Sequence, residues 1–274
     1  MIDATLSWLP MLAALLAAGA AGGLLAGLLG VGGGIVIVPV LDLALVAAGV
    51  DPAVAMHVAV ATSMATIVPT SISSSRSHAK RGSIDFAVVR RWSVPIVVGA
   101  LAGSLVASSV DARVLAGVFG VVAALAALKM VLPLDHVVLR SSIPGGLAGA
   151  TIPGSIGAIS AMMGIGGGTL SVPSMTLCGE PVHKAVGTAA LLGLWISVPA
   201  TVGYLLAQPG GASMPPWTMG WVSLPGFAII APVAWLVAPL GARLAHSLDR
   251  RKLSAAFGVF LLVVAGRMLY RLFS

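Results

Sequence analysis

Charge is what this sequence has least of. Asp, Glu, Lys and Arg together make 8% of its 274 residues, against about 25% in a soluble domain. A soluble chain of this size could not cover its surface with so few charges. Disorder is excluded as well, because it needs low hydrophobicity and high charge, whereas 58% of this chain is apolar and its mean hydropathy is +1.07. Cys178 is the single cysteine, so no internal disulfide or multi-cysteine metal site can form. No Gly-Lys-Ser/Thr ending follows a glycine run, and Gly-x-Ser-x-Gly and His-Glu-x-x-His are missing. A nucleotide loop, a serine hydrolase and a zinc hydrolase lose their sequence support. No acidic pair lies inside an apolar run, which argues against a cation carrier. The sequence thus implies no enzyme, no metal and no cofactor.

Long apolar runs are what remains. A membrane-spanning helix needs about 20 mostly apolar residues. Eight runs qualify: 4–29, 53–72, 92–110, 112–132, 143–164, 182–206, 221–242 and 253–272. Two shorter runs, 35–48 and 169–178, follow glycine-rich breaks. The start, Met1-Ile2-Asp3, lacks the basic region of a signal peptide, so the first run reads as part of the mature protein. The net charge of +7 sits in short clusters between runs. It reads as a membrane-orientation signal and not as a nucleic-acid surface. Trp8, Trp92, Trp217 and Trp221 lie near run ends, where interfacial tryptophans are expected.

The chain repeats itself. Gly30-Val31-Gly32-Gly33-Gly34 recurs as Gly164-Ile165-Gly166-Gly167-Gly168, and Val38-Pro39 recurs as Val172-Pro173, both 134 positions later. An offset of 138 pairs Gly82 with Gly220, Gly103 with Gly241, and Phe119-Gly120-Val121 with Phe257-Gly258-Val259. The expected organisation is one transmembrane domain over 1–274, with repeats at 1–132 and 143–274 and a linker at 133–142. Charge orients the halves. If each half crosses an odd number of times, Arg76, Lys80, Arg81, Arg90, Arg91, Lys129, Arg140, Lys184, Arg243, Arg250, Arg251 and Lys252 share one side. Only Arg113, Arg267 and Arg271 are then left for the other. Four crossings per half would split the cations nine to six. The positive-inside rule favours the odd count, hence inverted repeats with both termini outside. The fold class expected is an all-α polytopic membrane protein of two inverted-topology repeats. It has eight long membrane helices plus two short ones, which either cross as tilted helices or form re-entrant hairpins.

Three consecutive glycines break a helix, and non-helical backbone at membrane depth is tolerated only against protein or a water-filled cavity. The helix that restarts offers free N–H groups and a partial positive charge, which suits an anion. Two inverted copies aim two such ends at one site. Candidate binding residues are therefore Gly30, Gly32, Gly33, Gly34, Gly164, Gly166, Gly167 and Gly168, with Pro39 and Pro173 as helix breakers. Thr62, Ser63 and Thr188 add hydroxyl donors. His57 and Asp42, ionisable groups within or beside apolar runs, are candidates for proton coupling. Gly19 to Gly23 and Gly99 to Gly103 read as packing surfaces for close helix contact.

GLLAGLLGVGGGIVIVPVL (23–41) and AMMGIGGGTLSVPSM (161–175) resemble the paired signature of the sulfite exporter TauE/SafE family. GARLAHSLDRRKLSAAFGVFLLVVAGRMLY (241–270) resembles the end of that family's second repeat. The resemblance covers nearly the whole chain. It implies a multi-pass permease of a bacterial or archaeal inner membrane, moving sulfite, thiosulfate or an organosulfonate, often outward. The small anion, the lipid bilayer, a coupling proton and a homodimer mate are the partners expected, with no nucleic acid. The alternatives are a passive anion channel on the same scaffold and a membrane anchor subunit that transports nothing.

Overall fold

The computed structural model describes residues 2–131, 146–210, 213–245 and 250–273. The expected linker at 133–142 lies outside them. Helices occupy all eight long runs: α1 Ile2–Leu29, α3 Pro52–Ala79, α4 Phe86–Ser109, α5 Ala112–Val131, α6 Gly146–Met163, α8 Val182–Leu206, α9 Leu224–Leu244 and α10 Arg250–Phe273. Two short helices, α2 Gly34–Ala47 and α7 Gly168–Leu177, follow the glycine breaks. Among the described residues, five helices are long and apolar enough to cross a membrane: α1 over Leu9–Leu29, α3, α4, α8 and α9. With no water in the bilayer core, each backbone N–H and C=O must be paired within its own segment, so apolar runs of this length become helices. Large apolar side chains such as Val98, Leu125, Leu236 and Val263 point outward and are more than 60% exposed. A soluble surface does not carry such residues in bulk. The chain is an all-α polytopic membrane protein.

One feature lies outside the all-helical expectation. Between α8 and α9 the strands β1 (Thr218–Met219) and β2 (Val222–Ser223) pair as a small antiparallel hairpin. It carries Trp221, which is buried and stacks on His57 at 4.6 Å between ring centroids. Trp92 is buried as well, at 1% exposure. These two tryptophans are packing residues and not the interfacial ones the sequence suggested. Trp217 is exposed, and the side chain of Trp8 lies outside the described set.

The helices pack in matching pairs. α1 lies on α9 as α6 lies on α4, and α3 lies on α9 as α8 lies on α4. The short helices follow the same scheme: α1 and α3 flank α2, and α6 and α8 flank α7. The α3–α8 and α5–α10 contacts each join an element to its own counterpart. Small residues make the close approaches possible. A Cβ on Gly23 would strike the backbone of Ala234, one on Gly27 that of Ala238, one on Gly99 that of Gly154 and one on Gly103 that of Ala158. The packing role read from Gly19–Gly23 and Gly99–Gly103 is what the structure shows.

α2 folds back along α1 as a hairpin arm. Gly22 faces Gly33 and Ile37. Nearer the N-terminus, Pro10, Met11 and Ala14 line an apolar cleft of about 550 Å³ together with Val40, Leu43, Ala44, Ala47 and Ala48. The two ends of the bundle differ in charge. At one end Arg81 donates to the carbonyl of Ala242, beside Arg243, and Gly187, three residues past Lys184, packs on Ser83. Asp42, Pro52 and Arg271 meet at the other.

Candidate functional site

The breaks fall on the glycines. Gly30, Gly32 and Gly33 have φ of +67°, +80° and +80°, and Gly164 has φ of +69°. An L side chain rarely adopts this left-handed region, so glycine is required there. Gly33 and Gly167 are the N-caps of α2 and α7, and neither cap has a side-chain hydrogen bond. Pro39 and Pro173 do not break these helices. Each lies inside its short helix, so what turns the chain is the positive-φ glycines before it.

The structure brings the two breaks face to face. A Cβ on Gly32 would sit 2.9 Å from Cα of Gly166, and one on Gly166 would sit 2.9 Å from Cα of Gly32. Gly34 abuts the carbonyl of Gly164 as Gly168 abuts that of Gly30. All eight candidate glycines are buried. In α7 the N–H groups of Gly168, Thr169 and Leu170 precede the first helical bond, from Ser171 N to Gly167 O at 2.7 Å. Such unpaired N–H groups with the aligned helix dipole form an anion-attracting end. Two of these ends begin within a few residues of the point where the breaks touch.

The candidate hydroxyls have defined partners. Thr62 Oγ1 accepts the N–H of Ser223 at 2.9 Å, and Thr188 Oγ1 accepts the N–H of Asp85 at 2.9 Å. Ser223 and Asp85 are the N-caps of α9 and α4. The two threonines thus hold equivalent joints, and they fix a register that the sequence left open. Thr62 corresponds to Thr188, 126 positions on, which sets His57-Val58-Ala59-Val60-Ala61-Thr62-Ser63 against His183-Lys184-Ala185-Val186-Gly187-Thr188-Ala189. Ser63 is fully buried and donates to the Gly164 carbonyl at 2.7 Å. It pins the second break to the first half.

His57 and Asp42 lie away from the breaks. His57 places Nδ1 2.9 Å from the Ala53 carbonyl and Nε2 3.0 Å from the Val110 carbonyl. Asp42 is 1% exposed, and both its oxygens accept from Nη1 of Arg271 at 2.6 Å. Nη2 of the same arginine donates to the Pro52 carbonyl at 2.6 Å. Sequence reasoning missed Arg271 as a partner of Asp42. The signal was there in the charge count, which put Arg271 on the side poor in cations. A buried carboxylate needs a counter-charge.

The sequence that forms this bundle matches a known family along nearly its whole length. The model of the family "Sulfite exporter TauE/SafE" covers residues 15–268. The chain belongs to the TauE/SafE family. It is similar to a "probable membrane transporter protein" of Haemophilus influenzae, with 34% identity over 91% of this chain and 95% of the relative. A probable membrane transporter of Methanocaldococcus jannaschii shares 28% identity over 86% of this chain and 89% of its own. One of Bacillus subtilis shares 24% over 90% of this chain and 95% of its own. No solved structure matches. The TauE/SafE chain is a multi-pass membrane transporter.

Proposed function

We propose that this transporter is a secondary carrier, working mainly as an exporter, for a small sulfur anion: sulfite, thiosulfate or an organosulfonate. The observation that carries the reading is the face-to-face meeting of Gly32 and Gly166, which draws two unpaired helix starts toward one buried point. The family supports a sulfur anion as cargo. The residues around the breaks carry no full charge. A fixed cation at membrane depth costs about 2.5–3.5 kcal/mol on insertion scales, and it would hold the anion too tightly to release it. Helix ends supply partial charge at no such cost.

In this reading the halves are inverted repeats, 1–132 and 143–274. α1–α2 and α6–α7 are re-entrant hairpins entering from opposite faces, and three crossings follow each hairpin. The cation-rich end, with Arg76, Lys80, Arg81 and Arg243, faces the cytoplasm, and both termini lie outside the inner membrane. The burial of all eight glycines supports a form closed to both sides. Access then alternates as one half rocks against the other about the glycine contact. Thr62 and Thr188 act as joints of that movement more than as ligands, because each holds the first N–H of a neighbouring helix. A proton is the proposed coupling ion, and a homodimer the proposed assembly.

The test is uptake of labelled sulfite, thiosulfate and sulfoacetate into proteoliposomes holding only this protein, with and without a pH gradient. Saturable counterflow of one of them is expected, and its response to the gradient reports proton coupling. Ohmic single-channel current would replace the carrier by a channel. Absence of flux from folded protein would remove the sulfur-anion assignment.

A further inference from the structure

The two breaks align in sequence but not in backbone, since Gly32 and Gly33 have positive φ while Gly167 has φ of −57°, and they differ too in what surrounds them. Across the offset of 134, Ile37 occupies the place of Ser171; across the offset of 126, Ile67 and Ser71 occupy the places of Gly193 and Ser197. The first break is packed with isoleucine. Cγ2 of Ile67 lies 3.2 Å from where a Cβ on Gly32 would sit, and Cγ1 of Ile37 lies 3.0 Å from the same point on Gly22.

The second break is bordered by hydroxyls. Ser171 and Ser197 are 0% exposed, and neither hydroxyl has a partner. The hydroxyl of Thr169, on the first turn of α7, is also buried without one. Ser171 and Ser71 meet backbone N–H groups on the joint between α7, α8 and α3, and Ser197 follows Gly193 one turn further along α8. A Cβ on Gly167 would sit 2.8 Å from Ile196 Cδ1, 3.3 Å from Ser171 Oγ and 3.7 Å from Gly193 N. One on Gly193 would sit 2.8 Å from Ser71 Oγ and 3.9 Å from Gly167 N. Elsewhere the buried hydroxyls of Thr66 and Thr70 bond back to their own helix carbonyls, the usual way such groups are satisfied in a helix. Ser171 and Ser197 have given up water and gained no bond, which is unfavourable unless something else accepts their protons. Thr201, one turn beyond Ser197 on α8, is unpartnered too and continues the polar track along that helix.

We propose that the anion is received at the second break alone, by the start of α7 with the hydroxyls of Ser171, Ser197 and Ser71, and that it is singly charged. The proposal rests on the carrier reading above and narrows it. Hydroxyls donate to an oxyanion, and Gly167 and Gly193 allow it to approach the backbone. The first break, filled by Ile37 and Ile67, serves as the rigid face against which the site closes. The charge limit follows from the inventory. A helix start is worth roughly half a positive charge. Arg76 and Lys184, further along α3 and α8, are exposed. Among the described residues, no cation is placed to balance a second negative charge at so buried a site. The cargo is then a sulfonate or hydrogen sulfite, not a dianion.

The experiment uses the purified full chain, reading labelled-sulfite counterflow in proteoliposomes and thermal melting in detergent. Ser171→Ala and Ser197→Ala should each raise the half-saturation concentration roughly tenfold, with the melting temperature unchanged or higher, since neither hydroxyl holds a protein partner. Ser174→Ala, on the same helix but with its hydroxyl already donating to the Leu170 carbonyl, should leave half-saturation unchanged. Methanesulfonate, always singly charged, should compete, and sulfate should not. Unchanged half-saturation in both Ser171→Ala and Ser197→Ala, or an equal rise in Ser174→Ala, overturns the location, and competition by sulfate overturns the charge. If wild-type protein exchanges none of sulfite, thiosulfate and sulfoacetate, the carrier reading fails. Methanesulfonate-induced thermal stabilisation then decides the site: stabilisation lost in Ser171→Ala upholds it, and no stabilisation of the wild type overturns it.

Discussion

The two ends of the bundle are built on matching positions and fastened differently. At one end Asp42 and Arg271 form a buried ion pair that also ties the start of α3 through the Pro52 carbonyl. His57 reaches from α3 to the last turn of α4 and stacks on Trp221. At the opposite end the matching positions are Thr176 and His183. Thr176 donates to its own helix at Pro173 O, and His183 is exposed. The opposite end is tied instead by Arg81, which donates to the Ala242 carbonyl. The Asp42–Arg271 pair acts as a latch: opening that end of the transporter must break it, which adds to the energy substrate binding has to supply there.

The largest effect expected of any substitution at the latch is from Arg271→Ala. Removing one partner leaves Asp42 charged and buried, which costs about 3–5 kcal/mol where such pairs have been broken. Thermal melting of the purified protein should show it as a marked fall. The double change Asp42→Asn with Arg271→Ala should recover part of the loss, because the orphan charge is gone. Equal losses in the single and double variants would mean the pair is not a unit. The next effect is His57→Phe, which keeps a ring against Trp221 and deletes both carbonyl contacts. It should cost about 1–3 kcal/mol, while His183→Phe, at an exposed position, should cost less. Similar losses at the two histidines would erase the difference between the ends.

Much of this was legible in the sequence because lipid makes helices nearly obligatory. Every long apolar run became a helix, and Gly30–Gly34 and Gly164–Gly168 announced the breaks. The charge count put Arg76 and Arg243 at one end and Arg271 at the other, and the structure has them so. Side-chain pairing was not legible. Nothing in the one-dimensional pattern says that Thr62 would take the N–H of Ser223 instead of facing a ligand, because the hydroxyl types are the same for both tasks. His57 lies five residues past Pro52 but His183 only two past Pro181, and that shortening hid their match until the equivalent hydrogen bonds of Thr62 and Thr188 fixed it. Trp92 and Trp221 were misplaced for a related reason: position near a run end does not reveal which face of the helix or turn carries the ring.

The joints should respond equally, which makes them the control for the latch. Thr62→Val and Thr188→Val each remove the acceptor for one N-cap N–H while keeping side-chain volume. Each should cost about 1–2 kcal/mol, read as equal falls in melting temperature. A loss confined to one of them would show that the two joints are no longer equivalent.

The smallest effect is the most direct test of symmetry at the breaks. Ser63 donates to the Gly164 carbonyl. Its counterpart, Ala189, stands where a hydroxyl could reach the Gly30 carbonyl, since Gly30 is to Gly164 as Ala189 is to Ser63. Ser63→Ala should destabilise by about 1 kcal/mol, the ordinary net value of a buried hydrogen bond. Ala189→Ser should recover a similar amount in the other half, less the entropy of fixing its rotamer. A gain in melting temperature with slower counterflow would mean that the missing hydroxyl leaves the first break free to part from α8 during transport. A gain with unchanged counterflow would make Ala189 a neutral loss. A fall would mean that the backbone around Gly30 and Gly164 differs by more than the exchange of halves allows, and that the symmetry stops at the glycines.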